Sequence, residues 1–445
     1  MNAEEAKDFY LDRFAGQERG LVEGGREWTR DVRRDALARF GALGFPTTHD
    51  EEWRYTNIAP IVTMAFAASD GDSRAGAELI AEIDAANLAD HRLVFLNGRF
   101  SRGLSRLEKL PNGVIAGSLA AAMSDNRAAV EPYWARSADY HEHVFVALNT
   151  AMMEDGAFLF VPERAVVDAP IHFLFIATAP AEATASHPRS LIVLARGSQA
   201  TVVETYLGSD RAVYLANAVT EIALGENAVL DHYKVQRESA GAFHVAAQQA
   251  RLERGSTLSS HSIALGGALV RNEVNAALDG EGGDCTLNGL YVTAGKQHVD
   301  NHTRIDHVKP HCTSREVYKG IMSGKSRGVF NGKIYVHKAA EKTDARQTNK
   351  NLLLSEEAWI DTKPQLEIYN NDVKCSHGST IGQLDEDALF YLRARGIDAA
   401  TAIGLLTQGF AADITGRIKN AAVATWVEKL LVQKLKLILM DNGKL

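Results

Sequence analysis

At 445 residues, with 46% hydrophobic and 23% charged side chains, the chain has the size and balance of a globular protein of two or three domains around a substantial core. A formal net charge of −8 excludes bulk nucleic-acid binding through a basic surface, which needs clustered Lys and Arg to neutralise phosphate. No apolar run approaches the roughly eighteen residues of a membrane span.

The N-terminal MNAEEAKDFYLDRF is acidic at its start and carries no apolar signal core, so a cytoplasmic location is expected. Cys285, Cys312 and Cys375 are the three cysteines, a sparse odd count that suits reduced thiols and not a disulfide frame. In that compartment the Asn301-His302-Thr303 glycosylation triplet has no bearing. Residues 1 to about 90 read as mainly helical: Val32, Ala36, Leu37 and Phe40 form an apolar stripe that Gly44 and Pro46 end. A polar stretch from Ser69 to Gly76 reads as a linker, and RLVFLNGRF (Arg92 to Phe100) as a hairpin turning at Asn97-Gly98.

From about Gly156 to Cys375 short apolar strands alternate with turns, and a turn phrase recurs. Gly197, Gly225, Gly255, Gly282 and Pro310 follow one another at intervals of 28, 30, 27 and 28 residues. A fixed period of this length predicts a solenoid, with several short strands and one recurring turn per coil. Stacked coils would pair in parallel, giving a parallel β-helix; an antiparallel sandwich explains the turns but not the recurring phrase. After Leu384 the pattern is helical again. Asp385 caps a first helix ending near Gly396, a second begins near Asp398 with Ile403, Leu406, Phe410 and Ile414 on one side, and a third begins near Asn420 with Val423, Trp426, Val427, Leu430 and Leu431 as its stripe. The implied division is 1–150 mainly helical, 151–380 β-helix and 381–445 helical, with some apolar surface left for a partner.

Cys375 and His377 lie two apart on an extended run, so thiol and imidazole project from one strand face. Both suit iron or copper, and an adjacent His is expected to lower the thiol pKa. Two ligands cannot complete a tetrahedral site, so the remainder would come from another subunit, sulfide or a small thiol. His298, His302, His307 and His311 with Cys312 could suggest zinc, but their spacings do not keep one strand face; inward-facing imidazoles in polar ladders are expected instead. GIMSGKS (Gly320 to Ser326) has three residues where a phosphate-binding loop needs four, and no following helix. A Cys375–His377 hydrolase lacks a third group, and a polysaccharide lyase would be secreted.

KPQLEIYNNDVKCSHGST, the following IGQLDEDALFYLRARGI, GVFNGKIYVHKAAEKTDARQTNKNLLLS (Gly328 to Ser355) and GFPTTHDEEWRYTNI (Gly44 to Ile58) closely resemble the SufB/SufD family of the SUF iron–sulfur cluster assembly scaffold. Cys375-Ser376-His377-Gly378, where SufB usually carries His-Glu-Ala, resembles the SufD branch. The resemblance implies a right-handed parallel β-helix between helical domains and a non-catalytic scaffold subunit. SufB would pair with it through the β-helix, and the SufC ATPase would dock on the C-terminal helices. There Leu389, Phe390, Leu392, Ile403 and Phe410 are candidate contacts. A nascent iron–sulfur cluster would form at the SufB–SufD interface, with His377 as ligand or proton-handling group and Cys375 as an auxiliary thiol. Reduced flavin is associated with the SUF complex, but no flavin-binding motif is found in this chain. A homodimeric scaffold, or a partner-recruiting subunit holding no iron, are the alternatives.

Overall fold

The computed structural model describes residues 2–23, 26–67, 73–84, 88–178, 182–210 and 212–441. Two ten-stranded sheets face each other, and from Gln199 onward successive strands alternate between them. The first sheet runs from the Arg99–Phe100 and His91–Leu96 hairpin through Ile171–Ala177 to Lys374–Gly382. The second runs from Ile115–Ser118 to Trp359–Ile368. Pairing is parallel and in register from coil to coil, as in the row Thr257, Asp284, Thr313, Asp344, Lys374. The chain is a parallel β-solenoid. Each coil contributes two strands of about ten residues, not the several short ones expected from the turn spacing.

The recurring phrase is a stacked corner. Its left-handed residue is Gly197, Asn227, Gly255, Gly282, His311 and Lys342 in successive coils, each with φ between 56° and 71°. Each of these residues donates its backbone N–H to a carbonyl of the next corner: Gly197 to Glu226, Asn227 to Arg254, Gly255 to Glu281, Gly282 to Pro310, His311 to Glu341 and Lys342 to Asp372. The sequence period is therefore real, but two of its markers shift. Asn227, not Gly225, takes the left-handed position, and His311 takes it beside Pro310. Glycine is favoured there and asparagine tolerated, which is why the phrase is intermittent in the sequence.

Inward-facing Leu, Val, Ile, Ala and Phe fill the solenoid, among them Leu230, Leu258, Val270, Leu287, Val299 and Phe330. The outer face of the first sheet is covered by helices Ser73–Asp84, Ala399–Thr415 and Ala421–Asp441, whose buried Ile414, Val423, Trp426 and Val427 meet Val203, Val235, Leu290 and Ile321. The second sheet is covered by the N-terminal helices: Tyr10, Phe40 and Phe145 pack over Leu215, Phe243 and Leu269. That contact is locked by the buried Arg189–Glu221 pair at 2.8 Å, where Glu221 also accepts the backbone N–H groups of Ala135, Arg136, Ser137 and Ala138.

The Asn97-Gly98 hairpin forms as expected, with both residues at positive φ. His91–Leu96 pairs in parallel with Ile171–Ala177, so the first sheet already begins within residues 1–150. Residues 69–72 of the expected linker lie outside the described residues, and Ser73 opens a helix. At the C-terminus Asp385 caps its helix through a side-chain oxygen, as read from the sequence, and Asp398, where the second helix is expected to begin, does the same for that helix.

Candidate functional site

The solenoid ends abruptly. Trp359–Ile368 and Lys374–Gly382 are the last strands of their sheets, and each has a hydrogen-bonded neighbour on one side only. Both strands are half-buried or exposed through most of their length, with Trp359, Tyr369 and Ile381 as exposed large side chains around this end. An unpaired parallel edge of this kind is a template for another chain.

Cys375 and His377 stand on this terminal strand, in register with Ala345 and Gln347 of the Asp344–Leu353 strand. Both therefore share the inner face, as the two-residue spacing requires. Their surroundings differ. Cys375 is half-buried against Ile334, Val336, Ala340 and Ala345. Burial pushes its thiol above the ordinary value, against the hydrogen bond from the Ala345 N–H, and the Asp344 carboxylate adds to the rise. The expected lowering by the nearby imidazole is thus overturned: apolar packing and a carboxylate set this thiol. His377 is exposed, and the side chain one coil below it is the buried amide of Gln347. Among the described residues no three His, Cys, Asp or Glu side chains converge on a point that could hold a metal ion.

The other candidates are dispersed. His298 and His302 face outward, not inward as expected. His298 Nε2 lies 2.8 Å from Thr56 Oγ1, and His302 bridges Asp300 and Glu52 at 3.1 and 3.2 Å. His307 alone of the four points into the solenoid, 2.9 Å from Ser314 Oγ. His311 forms a corner, and Cys312 donates to the Gly280 carbonyl. GIMSGKS is a strand end and a turn at Gly324 leading into the Arg327–Val336 strand, with no helix to receive phosphate. Of the expected docking residues, Ile403 is buried and Phe410 is half-buried, its ring 4.4 Å from the Lys319 ammonium. Helix Glu386–Ala394 has no buried residue, and Phe390 on it is 74% exposed.

Sequence reasoning missed a cleft of about 530 Å³ where the Gly44–Trp53 segment and His143–Phe145 meet the outer face of the second sheet. Charged groups pair in the cleft and beneath it. His143 pairs with Glu273 at 3.4 Å, and the buried Arg271 contacts Asp300 at 2.6 Å while lying 4.4 Å from the Trp53 ring. The GFPTTHDEEWRYTN string is thus a clamp between N-terminal region and solenoid. Only its aromatic and charged composition could have suggested this.

A parallel β-solenoid with helices on the outer faces of both sheets, whose last two strands are left unpaired at an exposed end, defines the class: a β-solenoid protein with an edge open to pairing. Residues 4–173 match the SufBD protein N-terminal region and residues 175–410 the SufBD core domain of SUF system FeS cluster assembly. A SufBD family protein of Synechocystis is 34% identical over 88% of both chains, and the iron–sulfur cluster assembly protein SufD of Escherichia coli is 32% identical over 88% of this chain and 90% of its own. SufD of Bacillus subtilis is 27% identical over 92% and 94%. The chain belongs to the SufBD family and is an iron–sulfur cluster assembly subunit of the SUF system, a scaffold component. Among the described residues no helix is long and apolar enough to cross a membrane.

Proposed function

We propose that this chain works in a complex with SufB and the ATPase SufC, and that a nascent cluster is built as cargo where its open solenoid end meets SufB. The observation that carries this reading is the pair of unpaired edges, Trp359–Ile368 and Lys374–Gly382, with His377 exposed on the second. A parallel solenoid partner would extend both sheets, satisfy their free backbone groups and cover the exposed aromatics. His377 then supplies one imidazole to iron or moves a proton there, and the partner and sulfide supply the rest. Cys375, held as a thiol by its surroundings, serves at most as an auxiliary ligand. Leu389, Phe390 and Leu392 on the uncovered helix Glu386–Ala394 are the surface offered to SufC, whose ATP hydrolysis would move the two solenoids as rigid bodies.

The test is anaerobic co-expression with the cognate SufB and SufC, comparing wild type with His377→Ala. Iron and acid-labile sulfide are measured per intact complex. Loss of both from a complex that still assembles is the expected result. Unchanged content would remove His377 from the chemistry, and purification of the chain as a homodimer alone would replace SufB by a second copy.

A further inference from the structure

His377 ends a column of in-register side chains on the inner face of the first sheet. Glu316 is paired with Gln347, and Gln347 with His377. Gln347 is 2% exposed and Glu316 1%. Gln347 Nε2 donates to Glu316 Oε2 at 2.8 Å. An ionised carboxylate only accepts, so it holds the amide nitrogen toward itself and turns the amide oxygen away. That oxygen, Gln347 Oε1, is buried and has no hydrogen-bond partner. A buried carbonyl left without a donor is destabilising, and the next residue along the column is a histidine.

We propose that Glu316 and Gln347 are positioning residues for His377: Glu316 orients the Gln347 amide, and Gln347 Oε1 accepts the inward-turned ring N–H of His377. The other ring nitrogen then keeps its lone pair and faces the open edge. A neutral imidazole with a fixed tautomer is what a metal-binding His requires, and a hydrogen bond to its second nitrogen commonly supplies it. Cys375 has no such support, because Ala345 lies beneath it. This inference rests on the reading of His377 as the interface ligand and extends it two coils into the solenoid.

The test reads the tautomer directly. In the isolated full-length chain with 15N-labelled histidine rings, the His377 signals are assigned by their loss in His377→Ala. Spectra are taken at pH 8, where the Glu316 carboxyl, pushed up by burial to about 7, is ionised. Wild type is expected to show one protonated and one unprotonated ring nitrogen, and Gln347→Met the averaged shifts of exchanging tautomers. The single variant leaves Glu316 buried without its donor, so Glu316→Leu/Gln347→Met is measured beside it; removing both polar groups keeps the interior satisfied. Unchanged His377 shifts in the folded double variant would overturn the proposal. The functional reading fails separately. If His377→Ala retains its iron and sulfide while Gln347→Met alters the tautomer, the column stands and the ligand role falls. If both hold, cluster content in Gln347→Met drops toward the His377→Ala level.

Discussion

Replacing Glu316 by Gln should change how stability depends on pH while leaving the shape of the core intact. Glu316 is enclosed within the solenoid, and burial pushes its carboxyl up to about 7 from the ordinary 4.5, against the hydrogen bond from Gln347. Between those values the unfolded chain has released the proton and the native chain still holds it. The unfolded state therefore binds fewer protons, and stability falls as pH rises from about 4.5 to about 7, then levels off. The span corresponds to about 3 kcal/mol at about 1.4 kcal/mol per pH unit. For a chain of this length, with an unfolding entropy of about 2.1 cal/mol/K per residue, that is about 3 °C in Tm. Glu316→Gln has the same shape, still accepts from Gln347, and does not titrate. Thermal unfolding of both proteins by circular dichroism at pH 5, 6, 7 and 8 cancels the contribution of every other group in the difference. The variant should gain about 3 °C on wild type between pH 5 and pH 8, most of it below pH 7. An offset that does not vary with pH would refute the reasoning, since the carboxyl would then titrate alike in the folded and unfolded chain.

Arg189→Met removes one partner of a fully buried ion pair and leaves Glu221 facing only backbone donors; a loss of about 3–5 kcal/mol is expected in denaturant unfolding. Gly289→Ala would set a methyl 2.1 Å from the Tyr318 ring that stacks over it, with an overpacking cost of about 1–3 kcal/mol measured the same way. Cys285 and Cys312 are buried and Cys375 half-buried, so a disulfide reagent should modify one thiol in the native chain and three after denaturation. The rate at Cys375 should still be climbing above pH 9, because its surroundings raise the thiol; a plateau near neutral pH would contradict that assignment.

Much of the fold is legible in the sequence because one backbone requirement repeats. Every coil must pass a left-handed corner, and Gly197, Gly255 and Gly282 advertise it. Asn227, His311 and Lys342 meet the same requirement without glycine, held by hydrogen bonds to adjacent corners that no local pattern records. The number of strands per coil is not legible for a related reason. Inner faces mix Leu and Val with Glu204, His232, Lys234 and Glu316, so the alternation that marks a strand is broken where polar residues face inward. Those groups are tolerated because they bond one another, as His232 does with Glu204 and Ser260, and Lys234 with Asn272. Partners about a full coil apart in sequence leave no local trace.

The same limit governs the site. The spacing of Cys375 and His377 places both on one face of one strand, and the structure keeps them there. Spacing cannot say what lies beneath each, since that is decided by Ala345 and Gln347 in the coil below and, under Gln347, by Glu316 in the coil before that. Read locally, the pair looks like a thiolate activated by its imidazole neighbour. Read through the stack, the two separate: the thiol rests on methyl groups near a carboxylate, which favours its neutral form, while His377 is in register with the buried Gln347, whose amide oxygen lacks a donor. On the proposed reading, in which this edge receives metal and a partner together, the division is useful. A permanently ionised thiolate on an open edge would be exposed to oxidation before the partner arrives, whereas a neutral imidazole is not. If the functional weight lies on the imidazole, Cys375→Ser should retain the iron and sulfide that His377→Ala loses, in complexes assembled side by side. The reverse order of effects would place the weight on the thiol and require the partner subunit to lower its pKa.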